Sequence, residues 1–410
     1  MTTSISKATY LIRNWYNFLM RQEEPFKINI LKNFAQRFST NLTYQYQPIY
    51  LTSLGASPLI LGYLNSVNGL VNTLLAIPTG VMADRSGIKR VLTLTLIFSI
   101  LSGLLFGFAS SWEVGAVALV LSGVAYILDR TVCPMICGSC LATQERFTGM
   151  GICDTVSFFP QLIAPLLGAT LITIFGGMNV EGIRPLFFIQ GIGLIGALAI
   201  ILWKFNNPIS QPIGKSKNVF TDIGAIFKEG YVIKRWLFLT IVAAFPWQVM
   251  FYTPLYAAQI KGADQFILGG MSAASTIVFV FFAIPLGHLS DTVGRKKIAG
   301  FASILLILSY LVLIWAPNNL VLLLSGLLSG FSMSFTQNLM AISVDLVPRE
   351  YLGSWYGILG FCRGLIGIVS PLLCGYLWVF VSPSSVFYLL VFIQILALGA
   401  LLLVPTRFTR

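Results

Sequence analysis

A stretch of polar residues, FAQRFSTNLTYQYQPIY (Phe34 to Tyr50), lies within an otherwise apolar sequence. On a helical wheel its apolar side chains share one arc, and its polar side chains fill most of the opposite side. That periodicity predicts a membrane helix with a broad polar face on a cavity, and not a loop. The polar face comprises Asn33, Gln36, Arg37, Thr40, Thr43, Tyr44 and Gln47. The residues assigned to a substrate cavity are Arg37, Asn41, Tyr44 and Gln47.

Two arginines lie deep inside predicted membrane helices, where a charge is costly and needs a partner or a function. Arg37 lies roughly 14 Å from the predicted inner end of its helix, at 1.5 Å per residue, and Arg363 lies at a comparable depth. Either guanidinium could bind an anionic group of a substrate, or pair with an internal carboxylate or carbonyl oxygen. We favour the cavity role for Arg37 and structural pairing for Arg363.

Two carboxylates, Asp129 and Asp154, are the main embedded acidic candidates. A proton-driven carrier needs a carboxylate that changes its protonation between conformations. Asp154 or Asp129 could serve, and Asp154 is preferred because it shares a helix with Pro165. The alternative is that each forms a structural ion pair.

Aromatic and amide side chains of the second half of the chain complete the predicted cavity. Trp247, Gln248 and Tyr252 lie on the helix that matches the first one, and Gln337 and Asn338 lie on the tenth predicted helix. Core packing is the alternative for each single aromatic residue.

The composition predicts an all-α polytopic membrane protein. Of the 410 residues, 56% are hydrophobic and 10% are charged, whereas a soluble domain has about a quarter charged residues. The apolar runs are long enough for membrane helices and lack the alternation of a β-barrel. We predict twelve spans, at 28–52, 57–82, 89–109, 113–136, 149–176, 184–203, 236–259, 265–289, 297–316, 319–342, 352–379 and 384–405.

The placement of the basic residues predicts the orientation. With the N-terminus in the cytoplasm, 21 of the 26 Lys and Arg fall on the inner side, only Arg184 and Lys261 fall on the outer side, and the remaining three lie within spans. Both termini are therefore expected in the cytoplasm. The net charge of +12 follows this bias and does not indicate nucleic acid binding. The predicted division is a segment 1–27, a six-helix bundle 28–203, a linker 204–235, a second six-helix bundle 236–405 and a tail 406–410.

The two halves repeat each other. GVMADRSGIKR, which starts at Gly80, is echoed 207 residues later by GHLSDTVGRKK. QPIYLTSLGAS is echoed by TPLYAAQIKGAD, and APLLGA by SPLLCG, in the same order and at nearly the same offset. The chain is therefore predicted to be a duplicated six-helix unit, an arrangement found in secondary transporters.

The repeated loop resembles the signature of the major facilitator superfamily, and with the six-plus-six arrangement the resemblance covers nearly the whole chain. It implies two pseudo-symmetric bundles that rock around a central site. The matching residues are Gly80, Asp84, Arg85, Gly87, Lys89, Arg90, Gly287, Asp291, Gly294, Arg295, Lys296 and Lys297. The glycines at 87 and 294 permit tight turns. The carboxylates of Asp84 and Asp291 are expected to cap helices of the opposite bundle and so latch the two bundles together. Alternatively, the loop charges only set the orientation.

Pro165 and Pro371 are predicted helix kinks, and APLLGA is similar to a stretch of the efflux members of the superfamily. The expected function is therefore proton-coupled efflux of small amphiphilic or drug-like molecules from the cell across the plasma membrane. The alternatives are uptake of a small polar or anionic solute, and a sensor or scaffold that does not transport. A monomer embedded in lipid is expected.

Two short motifs that are typical of other protein classes lack the further residues that those classes require. CGSC (137–140) has no second cysteine pair, and GKS (214–216) lacks the leading glycine of a phosphate-binding loop. We therefore expect no enzyme, no cofactor and no metal.

Overall fold

The computed structural model describes residues 20–141, 146–206, 231–346 and 352–404, and these residues form α-helices joined by short connections, with no strand among them. The N-terminal half contains α1 (Glu24–Asn41), α2 (Gln47–Ser53), α3 (Pro58–Ser86), α4 (Ile88–Phe108), α5 (Trp112–Cys140), α6 (Arg146–Ile174) and α7 (Val180–Lys204). The C-terminal half contains α8 (Tyr231–Gln248), α9 (Tyr252–Gln259), α10 (Gln265–Val293), α11 (Arg295–Trp315), α12 (Asn319–Ser329), α13 (Phe331–Leu346), α14 (Leu352–Phe380) and α15 (Pro383–Leu403).

The predicted all-α polytopic fold is confirmed. Within the described residues, ten spans are long and apolar enough to cross a membrane, and the pair α8 and α9, bent by 43°, counts as an eleventh. The pair α1 and α2 occupies the remaining predicted span. Its low apolarity follows from the same polar residues that make the segment conspicuous in the sequence.

Three spans that the periodicity predicts as continuous helices are broken. Residues 42–46 form turns between α1 and α2, residues 249–251 separate α8 from α9, and α13 begins directly after Gly330. Proline accounts for two of the breaks, because it cannot donate a backbone hydrogen bond within a helix. Pro48 opens α2, and Pro246 lies at the end of α8.

One apolar core joins the two halves at one end of the molecule. It includes Tyr46, Leu61 and Ile183 of the N-terminal half together with Tyr252 and Leu313 of the C-terminal half. This end carries the connections 54–57, 109–111 and 260–264. We call it the closed end, because the halves pack against each other there.

At the other end, which we call the linker end because α7 ends and α8 begins there, each half has its own core. Phe26 and Leu194 belong to a core of N-terminal residues, and Trp236 and Leu401 belong to a core of C-terminal residues. Hydrogen bonds that cross between the halves, such as Gln45 Nε2 to Ser272 Oγ at 3.0 Å, lie toward the closed end. The space between the halves therefore opens toward the linker end.

Small residues bring α3 and α14 into very close contact across the two halves. A Cβ atom on Gly69 would lie 2.5 Å from the carbonyl oxygen of Gly367, and one on Gly364 would lie 2.2 Å from Oγ1 of Thr73. Close packing through small residues is typical of helices in membranes. The counterpart contact between α6 and α10 includes a bulky pair, Phe158 and Phe279, whose rings lie 4.5 Å apart.

Substitution of Gly69 by Ala should destabilise the protein by about 1–3 kcal/mol, because the new methyl group meets backbone that must move. Gly196→Ala is the matched control, since a Cβ atom there has no other heavy atom within 4 Å. Thermal unfolding of the purified variants measures the difference. Equal unfolding midpoints would contradict the close approach of α3 and α14.

Candidate functional site

A lysine and an aspartate form a buried ion pair between α1 and α5. Lys32 has no exposed surface, and its Nζ lies 2.7 Å from Oδ1 of Asp129. The same ammonium donates a hydrogen bond to Oε1 of Gln36 at 2.9 Å. A buried charge without a partner is strongly destabilising, so these contacts explain how the sequence tolerates Lys32 inside a membrane helix.

Arg37 approaches the same carboxylate from the next turn of α1. Its Nη2 lies 3.6 Å from Oδ2 of Asp129, and 44% of its side chain is exposed. This separation is longer than the 2.7–2.9 Å of a strong charge-assisted hydrogen bond. The sequence leaves open whether Arg37 faces a substrate or a carboxylate. In the structure it is loosely paired with a carboxylate and its guanidinium is still accessible.

Exposed side chains accompany Arg37 on α5 and on the turn after α1. Tyr44, Tyr126 and Arg130 are all exposed. Arg130 Nη1 donates to the hydroxyl of Tyr126 at 3.0 Å, and its guanidinium lies 6.0 Å from the centre of that ring. Tyr44 lies in the turn that follows α1. We call Arg37, Tyr44, Tyr126 and Arg130 the arginine wall.

The arginine wall carries a net positive charge. The charges of Lys32 and Asp129 cancel within their buried pair. The positive charges of Arg37 and Arg130 therefore remain as the net charge of this group.

Sequence reasoning missed Lys32, Tyr126 and Arg130 as site residues. A charge count groups Lys32 with the inner basic residues, whereas the position of Asp129 beside Arg130 is a signal that α5 carries charge inside the membrane.

The prediction of a broad wet face on α1 is wrong in part. Asn33, Gln36 and Thr43 are buried, and Thr43 Oγ1 donates to Oε1 of Gln190 on α7 at 2.6 Å. In a membrane, polar side chains of neighbouring helices form hydrogen bonds with each other. A helical wheel shows which side chains share a face, but not whether that face meets a neighbouring helix or a cavity.

Two other predicted cavity residues of this segment are half-buried. Asn41 donates to the carbonyl of Arg37 at 2.8 Å, and Gln47 lies at the start of α2.

Part of the predicted C-terminal wall is accessible. Gln337 is exposed, and Trp247 and Gln248 are half-buried. Trp247 Nε1 donates to Oγ1 of Thr336 at 3.0 Å, and Gln248 Nε2 donates to the carbonyl of Arg363 at 3.5 Å. These contacts fix an indole and an amide within the C-terminal half.

Two predicted cavity residues are buried instead. Tyr252 has no exposed surface, and its hydroxyl contacts the carbonyl oxygens of Pro58 and Pro371 at 3.0 and 3.3 Å. Tyr252 is the first residue after the 43° bend between α8 and α9, and it packs into the core of the closed end. Asn338 is 7% exposed, and it donates to the carbonyl of Ser334 and accepts from the hydroxyl of Ser290.

Four further residues that the sequence singles out lie inside predicted membrane helices, and the structure describes the side chains of all but one of them. Arg363 is half-buried, and its Nη2 contacts the sulfur of Met340 at 3.6 Å, in accord with packing inside the C-terminal half. The side chain of Asp154 lies outside the described part of the structure. Pro165 and Pro371 lie inside α6 and α14 as predicted, and their carbonyl oxygens accept hydrogen bonds from tyrosines.

The repeated loops make the predicted turns. Gly87 and Gly294 have φ angles of 85° and 112°, which are values that favour glycine. Lys89 Nζ donates to the carbonyl of Leu202 at 3.0 Å, and Lys296 Nζ donates to that of Leu402 at 2.9 Å. Each lysine therefore caps the last turn of α7 or α15, where the helix dipole is negative.

The other residues of the loop signature have no described role in joining the halves. The side chains of Asp84, Arg85 and Asp291 lie outside the described residues, so the latch stays a prediction. Gly80 lies within α3, Arg90 and Lys297 are exposed, and Arg295 lies in the first turn of α11. A Cβ atom on Gly287 would meet open space, so its packing does not require glycine.

The sequence matches a family of membrane transporters. The Major Facilitator Superfamily model matches residues 31–281 and 262–410. The probable galactarate/D-glucarate transporter GarP of Escherichia coli (strain K12) is 24% identical over 371 residues, which cover 79% of this chain and 81% of that protein. The multidrug resistance protein MdtG of Citrobacter koseri is 24% identical over 295 residues, 67% of each chain.

The fold is also that of solved transporters. The crystal structure of the nucleoside transporter NupG superposes with a TM-score of 0.72 at 13% identity, and the match covers 93% of this chain and 98% of that one. At this identity, the likeness shows the shared fold alone.

Substitution of Lys32 by Met should destabilise the protein by about 3 kcal/mol, because Asp129 loses its closest counter-charge inside the bundle. Adding Asp129→Asn should recover much of that loss, since no charge of the pair is then left unbalanced. Lys27→Met is the control, because Lys27 lies near the start of the same helix and its ammonium donates an exposed hydrogen bond to the carbonyl of Met20 at 2.7 Å. Thermal unfolding checks these values, and a Lys32→Met variant as stable as Lys27→Met would contradict the pair.

Proposed function

This chain belongs to the Major Facilitator Superfamily, and we propose that it transports a small hydroxylated organic anion across the cell membrane by alternating access. The linker end faces the cytoplasm in this proposal, in accord with the basic residues on that side. The described conformation is then the inward-open one. The substrate binds between the arginine wall and the C-terminal residues Trp247, Gln248 and Gln337.

The observation that carries the proposal is the charge of the arginine wall. Arg37 and Arg130 present guanidiniums to the accessible space, while Asp129 is already balanced by Lys32. A guanidinium binds carboxylate in a planar, two-point geometry that few other groups match. Away from bulk water, the same charges disfavour a cationic substrate.

The long contact between Arg37 and Asp129 supports an exchange of counter-ions at the site. An incoming carboxylate takes up the exposed side of the Arg37 guanidinium and weakens its contact with Asp129. The Asp129 charge stays balanced during this exchange, because Lys32 holds its other oxygen at 2.7 Å. Binding therefore leaves no buried carboxylate without a counter-charge. A buried carboxylate that lost its counter-charge would cost several kcal/mol.

The relative GarP supports an acidic, polyhydroxylated substrate. Galactarate and D-glucarate each carry two carboxylates, and the arginine wall presents two guanidiniums. Gln248 and Gln337 supply hydrogen-bonding groups of the kind that bind hydroxyls, whereas the indole N–H of Trp247 already donates to Thr336.

The second candidate is proton-coupled efflux of amphiphilic or drug-like molecules. It is supported by the relative MdtG and by the aromatic surface of Tyr44, Tyr126 and Trp247. Asp129 is the carboxylate of the described site that could carry the coupling proton. The positive charge of the wall argues against lipophilic cations, which places this candidate second.

Counterflow in vesicles tests the two candidates without assuming a driving force. Purified protein is reconstituted into liposomes loaded with unlabelled galactarate, or with gluconate or malate in parallel, and entry of the labelled compound is measured. We expect exchange of at least one of these hydroxy acids and none of tetraphenylphosphonium. Exchange of the cation alone would favour efflux of amphiphiles. If no compound exchanged while the protein stayed folded, the anion proposal would fail and a sensor or scaffold role would be favoured.

Substitution of Arg37 or Arg130 by Gln should weaken binding of the transported anion about 10- to 100-fold, because a hydrogen bond to a charged group contributes about 1.5–3 kcal/mol. Arg90→Gln is the matched control, since Arg90 is exposed at the start of α4 and lies outside the wall. Isothermal titration measures the affinities. An Arg37→Gln variant that keeps full affinity while its thermal stability falls would make Arg37 a structural partner of Asp129.

A further inference from the structure

Two tyrosines at equivalent positions of the two halves are buried in the closed end. Tyr46 is the last residue of the break between α1 and α2, and Tyr252 is the first residue after the break between α8 and α9. Neither has any exposed surface. Both positions belong to the sequence repeat, since Tyr46 precedes the segment QPIY and Tyr252 precedes TPLY by the corresponding spacing.

The hydroxyl of Tyr46 contacts both halves of the protein. It lies 2.9 Å from the carbonyl oxygen of Pro165 in α6, within its own half. It also lies 3.1 Å from the carbonyl oxygen of Gln265, the first residue of α10 in the other half. One hydroxyl proton is thus shared between two acceptors on opposite sides of the interface.

The hydroxyl of Tyr252 repeats this arrangement. It lies 3.3 Å from the carbonyl oxygen of Pro371 in α14, within its own half. It lies 3.0 Å from the carbonyl oxygen of Pro58, the first residue of α3 in the other half. Pro165 and Pro371 are equivalent in the repeat, as are Gln265 and Pro58, so the contacts obey the pseudo-two-fold relation.

A glycine of the opposite half completes each contact. A Cβ atom on Gly269 would lie 2.8 Å from the carbonyl oxygen of Pro165 and 3.2 Å from the hydroxyl of Tyr46. A Cβ atom on Gly62 would lie 2.5 Å from the carbonyl oxygen of Pro371 and 3.0 Å from the hydroxyl of Tyr252. The absence of a side chain at these glycines lets the halves approach closely enough for the tyrosines to reach across.

The neighbouring tyrosines of the repeat stay within their own halves. The hydroxyl of Tyr50 donates to the carbonyl of Phe106 at 2.8 Å, and that of Tyr256 lies 2.9 Å from Oγ of Ser384. Tyr50 and Tyr256 are as buried as Tyr46 and Tyr252. Burial and residue type are therefore equal in the two pairs, and only the pair Tyr46 and Tyr252 bridges the interface.

We propose that Tyr46 and Tyr252 are two equivalent clasps that hold the closed end shut. Opening this end must separate α1 and α2 from α10, and α9 from α3, and so must break the cross-half contact of each hydroxyl. Each tyrosine keeps its acceptor in its own half, which avoids a buried hydroxyl without a partner. The clasps therefore favour the conformation open at the linker end, whichever substrate is carried.

The test measures how often the closed end opens. A cysteine is placed at Ser272, which contacts Gln45 across the interface, in a protein whose native cysteines are replaced by alanine. A membrane-impermeant maleimide is added to intact cells, and in parallel to inverted membrane vesicles. The rate of labelling from the closed end reports the fraction of molecules open there, even when that fraction is small.

Tyr46→Phe and Tyr252→Phe keep the aromatic ring, so packing such as the contact of Tyr252 with Trp378 is preserved. Each should raise the labelling rate about fivefold, and the double variant about 25-fold, as expected for loss of one net hydrogen bond per tyrosine. The increase should be confined to the preparation that exposes the closed end. The control Tyr50→Phe/Tyr256→Phe should leave the rate unchanged.

Two results would overturn the clasps. One is a Tyr46→Phe/Tyr252→Phe variant that is labelled as slowly as the parent while it elutes as folded protein. The other is a control variant that accelerates labelling as much as the clasp variant does, which would assign the effect to general loosening of the buried core.

Discussion

The ion pair between Lys32 and Asp129 is the contact on which the site depends. A lysine fully buried in a membrane protein must be neutralised, and here the carboxylate of Asp129 does so at 2.7 Å. With one oxygen committed to Lys32, Asp129 meets Arg37 only at 3.6 Å. The guanidinium of Arg37 is therefore held in place and still accessible, a combination that suits reversible binding of an anion.

The duplication preserves the scaffold but not the site. Turn glycines, helix-capping lysines and the bridging tyrosines recur at nearly the same offset in both halves. The charged residues of the buried ion pairs do not recur: 207 residues after Lys32, Arg37 and Asp129, the chain has Leu239, Ala244 and Thr336. The halves thus share turns, helix caps and interface contacts, whereas Lys32, Arg37 and Asp129 belong to the N-terminal half alone.

The sequence predicts those features that depend on local chain geometry. The spans, the turns at Gly87 and Gly294 and the two helices of the polar strip follow from periodicity and glycine chemistry, whereas periodicity does not predict the turns at 42–46 between those helices. The partner of Lys32 and the burial of Tyr252 could not be predicted, because both depend on which helices face each other. A helical wheel drawn over the whole span also assumes a continuous helix, whereas the span is interrupted just before Tyr252.

The most direct test removes the pair without leaving a charge unbalanced. In a Lys32→Met/Asp129→Asn variant, Arg37 no longer has a carboxylate that competes with the substrate, so isothermal titration should show tighter binding of the transported anion than in the unaltered protein. Unchanged or weaker binding by the folded variant would contradict the account, because Asp129 would then not compete for Arg37.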